Sequence, residues 1–137
     1  MPSLTRRVSF TATHRYWRSD WSEVRNEKHF GAASTPHAHD YACDATVSGP
    51  IDDETGMIID LGMLDRTLDR EVRSRFHGTS ITIDVPEFAD GRLIPTCENL
   101  ARFIFERVSA SLTGSAKLTS VIVREDPTIS AEYTGEG

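Results

Sequence analysis

Pro36-His37-Ala38-His39-Asp40-Tyr41 decides how this chain is read. Two histidines two residues apart cannot share a helix face, but on a β-strand they point the same way. The residues that follow continue such a strand. Tyr41, Cys43, Ala45 and Val47 fall on the histidine side, and Asp40, Asp44, Thr46 and Ser48 fall on the other. His37 and His39 therefore open a half-buried strand on its apolar face. Neutral imidazoles over an apolar floor suit zinc, which takes histidine nitrogen readily. An isolated His-x-His is more often two ordinary histidines at a strand start, and catalytic zinc needs about three protein ligands. A third histidine is what the reading requires.

It lies upstream. Val8, Phe10 and Ala12 alternate with Ser9, Thr11 and Thr13, a first strand whose apolar side ends on His14. Residues 15–36 are polar and irregular, with Trp17, Trp21, Arg25, Lys28 and His29. A loop this long in a small domain is functional or a lid. Its tryptophans either line a pocket or pin the loop, and pinning is the simpler role. The histidine strand runs to Gly49-Pro50. Asp52-Asp53-Glu54-Thr55-Gly56 reads as a turn into a short strand, Met57-Ile58-Ile59, making a hairpin. Asp60 can cap a helix whose Leu61, Leu64, Leu68 and Val72 recur at helical spacing to about Arg75. Asp69-Arg70-Glu71, Arg73 and Arg75 read as its solvated face.

Ser80 to Asp84 reads as an extended piece before Pro86. Thr96 caps a second helix with an apolar stripe of Leu100, Ala101, Ile104, Val108 and Leu112, stopped by Gly114. Leu118 to Arg124 is a strand with Glu125 at its end, and Ile129 to Tyr133 adds a last extended segment beyond Pro127. The whole is α+β: an antiparallel sheet with both helices on one face.

The bulk properties set bounds. A chain of 137 residues, 38% hydrophobic and 26% charged, reads as one soluble globular domain over 1–137 with a real core. A net charge of −6 and a pI near 5.3 give no nucleic-acid footprint. No apolar run approaches a membrane span, and the start Met-Pro-Ser-Leu-Thr-Arg-Arg is no signal peptide. A cytoplasmic location is the default expectation. Cys43 and Cys97 are too few for a disulfide framework and read as small core residues.

Six stretches in order carry a resemblance over nearly the whole chain. They are Phe10-Thr11-Ala12-Thr13-His14, His37-Ala38-His39-Asp40-Tyr41, Thr55-Gly56-Met57-Ile58-Ile59-Asp60-Leu61, Asp84-Val85-Pro86-Glu87-Phe88, Pro95-Thr96-Cys97-Glu98-Asn99-Leu100-Ala101, and Glu125-Asp126-Pro127-Thr128 with Ala131-Glu132-Tyr133. Each is weak alone; together they resemble the 6-pyruvoyl-tetrahydropterin synthase and 6-carboxytetrahydropterin synthase family. The resemblance implies the T-fold, a four-stranded antiparallel sheet with two helices on one face. It implies subunits joined into a barrel as a homotrimer or homohexamer, with active sites shared between subunits and a small-molecule substrate. It implies a zinc-dependent lyase or cyclase acting on a pterin-like molecule. His14, His37 and His39 match the zinc ligands, and three ligands leave the open position of a catalytic site. Glu125 matches the glutamate that anchors the pterin; a carboxylate can accept two hydrogen bonds from an aminopyrimidine edge.

The resemblance also departs at the proton-transfer groups. Where the family has a cysteine shortly before His-x-His, this chain has Gly31-Ala32-Ala33-Ser34-Thr35, with Ala33 as the best match. Where the family has Asp-His after the first helix, this chain has Phe76-His77. Cys43 lies about 13 Å along the strand from His39, too far to serve the same substrate in one subunit. Ser34 is a poor base without activation, and Asp40 faces the wrong side. His77 is left as the acid/base candidate, against the alternative that it merely caps a helix C-terminus. Two readings follow: an altered zinc-dependent enzyme, or a non-catalytic zinc-containing T-fold protein that binds a pterin-like ligand.

Overall fold

Alternating side chains build the sheet that carries everything else. In the computed structural model, which describes residues 1–135, strand β1 spans Ser3–His14, β2 His37–Ser48, β3 Lys117–Asp126 and β4 Ile129–Tyr133. They form one antiparallel sheet in the order β1-β2-β3-β4. Phe10, Ala12, Tyr41, Cys43, Ala45, Val47, Val121 and Val123 bury one face. The other face is polar, with Arg7, Asp44 and Arg124 joined across three strands.

Helices cover the apolar face. The first runs as α2 (Leu61–Leu68), a π-helical turn (Asp69–Arg73) and α3 (Ser74–Phe76), capped by the Asp60 carboxylate on the Gly62 N–H. The other is α5 (Cys97–Ser111), whose Thr96 hydroxyl accepts from the Asn99 N–H. It packs over β3 and β4, while the π turn and α3 pack on β1. Between sheet and helices Phe10 stacks on Tyr41 and Phe76, and Phe76 meets Phe88 and Phe103 edge-on. Such pairs add to simple area burial.

Four expectations are corrected. Met57-Ile58-Ile59 is no strand: β2 is already paired on both sides, to β1 from Ser48 to His37 and to β3 from Ser48 to Ala42, so no edge remains for it. The segment closes a turn instead, with the Asp52 N–H bonded to the Met57 carbonyl. Ser80 to Asp84 is mostly a helical turn, α4 (Ile81–Asp84), in which the Asp84 carboxylate accepts from the Ser80 N–H. The stretch 15–36 holds helix α1 (Glu23–Phe30), capped by Ser22, and a 3-10 turn over Gly31–Ser34. Glu71 is buried, not solvated: the π turn swings it inward, where Arg70, Arg75, Arg107 and Ser111 surround its carboxylate. Burial would raise that carboxyl, but the three arginines more than offset it and hold it below its ordinary value.

The outer edge of β1 is partly covered by the chain itself. The Thr11 N–H donates to His77 Nδ1, the Thr11 carbonyl accepts from Gly78, and the Thr13 N–H donates to the Thr79 carbonyl. The Arg73 guanidinium donates to the Ser9 carbonyl at 2.7 Å.

Candidate active site

Strand register brings the three histidines together. His14 and His37 are directly paired across β1 and β2, and His39 lies opposite Ala12. Alanine there leaves room for the third ring. The ring centroids stand 4.5 Å (His14–His37), 5.0 Å (His14–His39) and 4.9 Å (His37–His39) apart. One nitrogen from each lies within 4.8 Å of the others.

Backbone carbonyls decide which nitrogens face inward. His14 Nδ1 is 2.9 Å from the Pro95 carbonyl and 2.9 Å from the Tyr41 hydroxyl. A carbonyl only accepts, so Nδ1 carries the ring proton and shares it between these two oxygens. His37 Nδ1 likewise donates to the Thr35 carbonyl at 2.7 Å. The Nε2 lone pairs of both are thereby presented to the centre, the usual outer arrangement for a metal-ligating histidine. Burial, with His37 beside it, lowers the His14 pKa to about 4, against the pull of the Pro95 hydrogen bond. At neutral pH this ring is a neutral donor.

Glu125 joins the cluster. Val121, Val123 and Glu125 alternate toward the buried face, and the β3–β4 register shifts between Arg124 and Asp126. Bulges of this kind re-aim side chains beside functional sites. Glu125 Oε1 comes within 3.3 Å of His14 Nε2, and Oε2 within 3.7 Å of His39 Nε2. His14 Nε2, His39 Nε2 and Glu125 Oε1 are all buried without a hydrogen-bond partner. Buried polar atoms left without partners are costly. A divalent cation among them removes that cost, so the donor set fits a metal.

Two residues at this centre carry no signal in the linear pattern. Tyr16 packs edge-on to His14 and Phe30, with its hydroxyl against Glu125. Burial and that carboxylate push its pKa above the ordinary tyrosine value. Asp126 offers a carboxylate oxygen within 4.8 Å of His39 and Glu125 donors, and accepts from Thr128. Tyr16 sits in the long loop and Asp126 beyond the bulge, where strand alternation no longer applies.

The other candidates stand apart. His77 is exposed on the β1 edge, its Nδ1 taking the Thr11 N–H and its Nε2 left to carry the proton. Within one chain it is bonded to the strand edge and not to the triad. Ala33 is half-buried, its carbonyl accepting from the Tyr16 N–H at 2.8 Å. The Ser34 hydroxyl is spent on the Gly31 carbonyl. Phe76 is wholly within the aromatic core, a position where a carboxylate would be surrounded by rings. Burial raises the thiols of Cys43 to about 12 and of Cys97 to about 11, Glu125 adding to the second, so both are thiols at neutral pH.

A cavity of about 160 Å³ opens on His14, lined by Trp17, Pro36, Thr82 and Gly91 among others. Trp17 thus lines a pocket, with Arg15 stacked on its ring, whereas Trp21 pins the loop between Arg25 and Phe30. Gly91 has φ +73°, and a Cβ there would meet the Trp17 carbonyl oxygen at 2.7 Å. A larger cavity, about 510 Å³, lies beyond the far end of β2 and has no histidine.

Known proteins share this architecture. The chain is 33% identical to human 6-pyruvoyl tetrahydrobiopterin synthase over 135 residues, 97% of this chain and 91% of that one. It is 30% identical to 6-carboxy-5,6,7,8-tetrahydropterin synthase of Bacillus subtilis over 108 residues, 75% and 70% of the two chains. The structure of Caenorhabditis elegans 6-pyruvoyl tetrahydropterin synthase superposes with a TM-score of 0.89 at 28% identity, covering 99% of this chain and 98% of that one. Among the described residues no helix is long and apolar enough to cross a membrane. The family model for 6-pyruvoyl tetrahydropterin synthase matches residues 3–136, so this T-fold chain belongs to that family of pterin-synthesis enzymes.

Proposed function

We propose that the protein is a zinc-dependent lyase or cyclase acting on a pterin-like small molecule, with its proton-transfer groups altered from the family pattern. The observation that carries this reading is the set of buried, partnerless polar atoms on His14, His39 and Glu125 beside His37. His14, His37 and His39 would hold the metal. Zinc bound there would supply a Lewis acid for the side-chain oxygens of the substrate. Glu125 accepts hydrogen bonds from the ring edge of the substrate. His77, whose Nε2 bears the proton, is the candidate to move protons.

Because His77 lies on the edge of β1, it serves a site completed by a neighbouring subunit. A long edge strand is a liability unless covered, and β1 and β4 are the two edges of the sheet. The assembly we propose is a homotrimer or a pair of trimers closed through these edges. Ala33 favours a second reading, a zinc-containing T-fold protein that binds a pterin-like ligand without turning it over, since a methyl group cannot accept a proton.

The test of the metal reading is elemental analysis of the purified protein. About one zinc per chain is expected, lost in the His37→Ala, His39→Ala double variant because one remaining histidine is an inadequate site. Full zinc occupancy in that variant would refute the assignment.

A further inference from the structure

We propose that Asn26 is a positioning residue for the substrate: from helix α1 it sets the cavity wall that receives the substrate's side chain beside His14. This role rests on the pterin reading above, which assigns the ring to Glu125 and the side-chain oxygens to the metal but leaves the wall around them unassigned. The buried side chain of α1 is that of Asn26, which is fully enclosed. An enclosed amide is costly unless its polar groups are bonded. Here Oδ1 accepts from the Arg18 N–H at 2.7 Å, and Nδ2 donates to the carbonyls of Arg18 at 2.9 Å and Ser22 at 3.1 Å. One side-chain amide therefore holds both the N–H and the carbonyl of Arg18, as a residue of a neighbouring strand would. Arg18 lies in no helix or strand, so these bonds take the place of secondary structure there.

Gly91 closes the other side of the same segment. A Cβ there would meet the Trp17 carbonyl oxygen at 2.7 Å, the Ser19 nitrogen at 3.2 Å and the Arg18 Cα at 3.3 Å. Residues 17–19 are thus gripped between a side-chain amide and a bare Cα. Just upstream, the Tyr16 N–H donates to the Ala33 carbonyl and the Arg15 N–H to the Thr82 hydroxyl. The start of the long segment after β1 is therefore a fixed wall and not a lid. Trp17, Ser19 and Gly91 line the cavity of about 160 Å³ that reaches His14, and the Arg15 guanidinium carbon stands 4.1 Å from the centre of the Trp17 ring. The substrate oxygens that meet the metal arrive at this wall, while the ring lies at Glu125. Loosening the wall should weaken recognition of the side chain and leave recognition of the ring unchanged.

A pair of fluorescent pterins separates these effects: neopterin, which carries a hydroxylated side chain, and 6-methylpterin, which carries only a methyl group. Their dissociation constants for the zinc-loaded protein are read by fluorescence anisotropy in the wild type, Asn26→Ala and Gly91→Ala. The wild type should bind neopterin more tightly than 6-methylpterin. Both variants should lower neopterin affinity at least about tenfold, the effect of losing one or two hydrogen bonds, with 6-methylpterin affinity and zinc content unchanged. A general loosening of the fold would weaken both ligands alike. If Asn26→Ala does not fold, Asn26→Asp carries the comparison, because it keeps the bond from the Arg18 N–H and loses those to the carbonyls. A wild type that binds the two pterins equally, variants that lose both in parallel, or variants that keep neopterin would overturn the positioning role and leave the pterin reading standing. A wild type that binds neither would overturn both.

Discussion

At position 33 the chain offers a methyl group, half-buried, with its carbonyl held by Tyr16. The chemistry proposed here needs a proton moved beside the metal-held carbons, and general acid–base groups typically contribute about 10²–10⁴-fold. Turnover of 7,8-dihydroneopterin triphosphate is therefore expected to be at least about a hundredfold slower than for a relative that has a thiol there. Ala33→Cys should raise it at least about tenfold with zinc content unchanged, and His77→Ala should lower it. Steady-state assays of the three proteins beside such a relative decide the matter. A wild-type rate equal to the relative's would mean that another residue replaces the thiol. At this scale the gathering of His14, His37 and His39 was legible from period-two alternation, since all three continue the apolar sides of their strands. Tyr16 and Asp126 were not, because they lie where no repeating backbone geometry dictates which way a side chain points.

The helix from Leu61 to Phe76 shows what a single inserted turn does. Its apolar spacing was legible up to Val72, but the π turn at Asp69–Arg73 adds a residue and rotates Glu71 into the interior. Helical periodicity assumes a constant angle per residue and so misassigned that face. Helix α1 escaped notice for the opposite reason: its buried side chain is Asn26, which ties the Arg18 backbone through both its amide groups, and no apolar stripe marks it. Glu71→Gln should cost about 1.5–3 kcal/mol at pH 7, the usual range for hydrogen bonds to a charged group. The folded Glu71 carboxyl ionises below its ordinary 4.5. Its contribution is therefore complete above that pH and lost as the pH falls through the lower, folded value. Chemical denaturation from pH 7 to pH 3 should show a stability gap between wild type and variant that narrows on acidification. A gap that stays constant would show that the carboxylate is not the stabilising species.

For the whole molecule, the fold class and the pairing of helices with one sheet face were legible, because a half-buried sheet needs an apolar cover. Which strand lies beside β2 was not, since sheet neighbours are chosen by long-range contacts that a local hairpin signal does not contain. The proposed assembly predicts a trimer or hexamer by sedimentation velocity at micromolar concentration, and a stable monomer would count against closure through the edges. The strap over β1 bears on how that closure is measured out. Outward-pointing rungs of β1 fall on odd residues, as Thr11 and Thr13 show. With Ser9, Thr11 and Thr13 engaged by Arg73, His77, Gly78 and Thr79, the uncovered length among the described residues is Ser3 to Arg7. That is the length of β4, which has 5 residues. An incoming strand can slide along β1 only until it meets the Arg73 guanidinium. In the proposed assembly the segment that presents His77 would thus also be a mechanical stop, setting the register in which one subunit docks on the next and, through it, which residues of two chains meet across the seam.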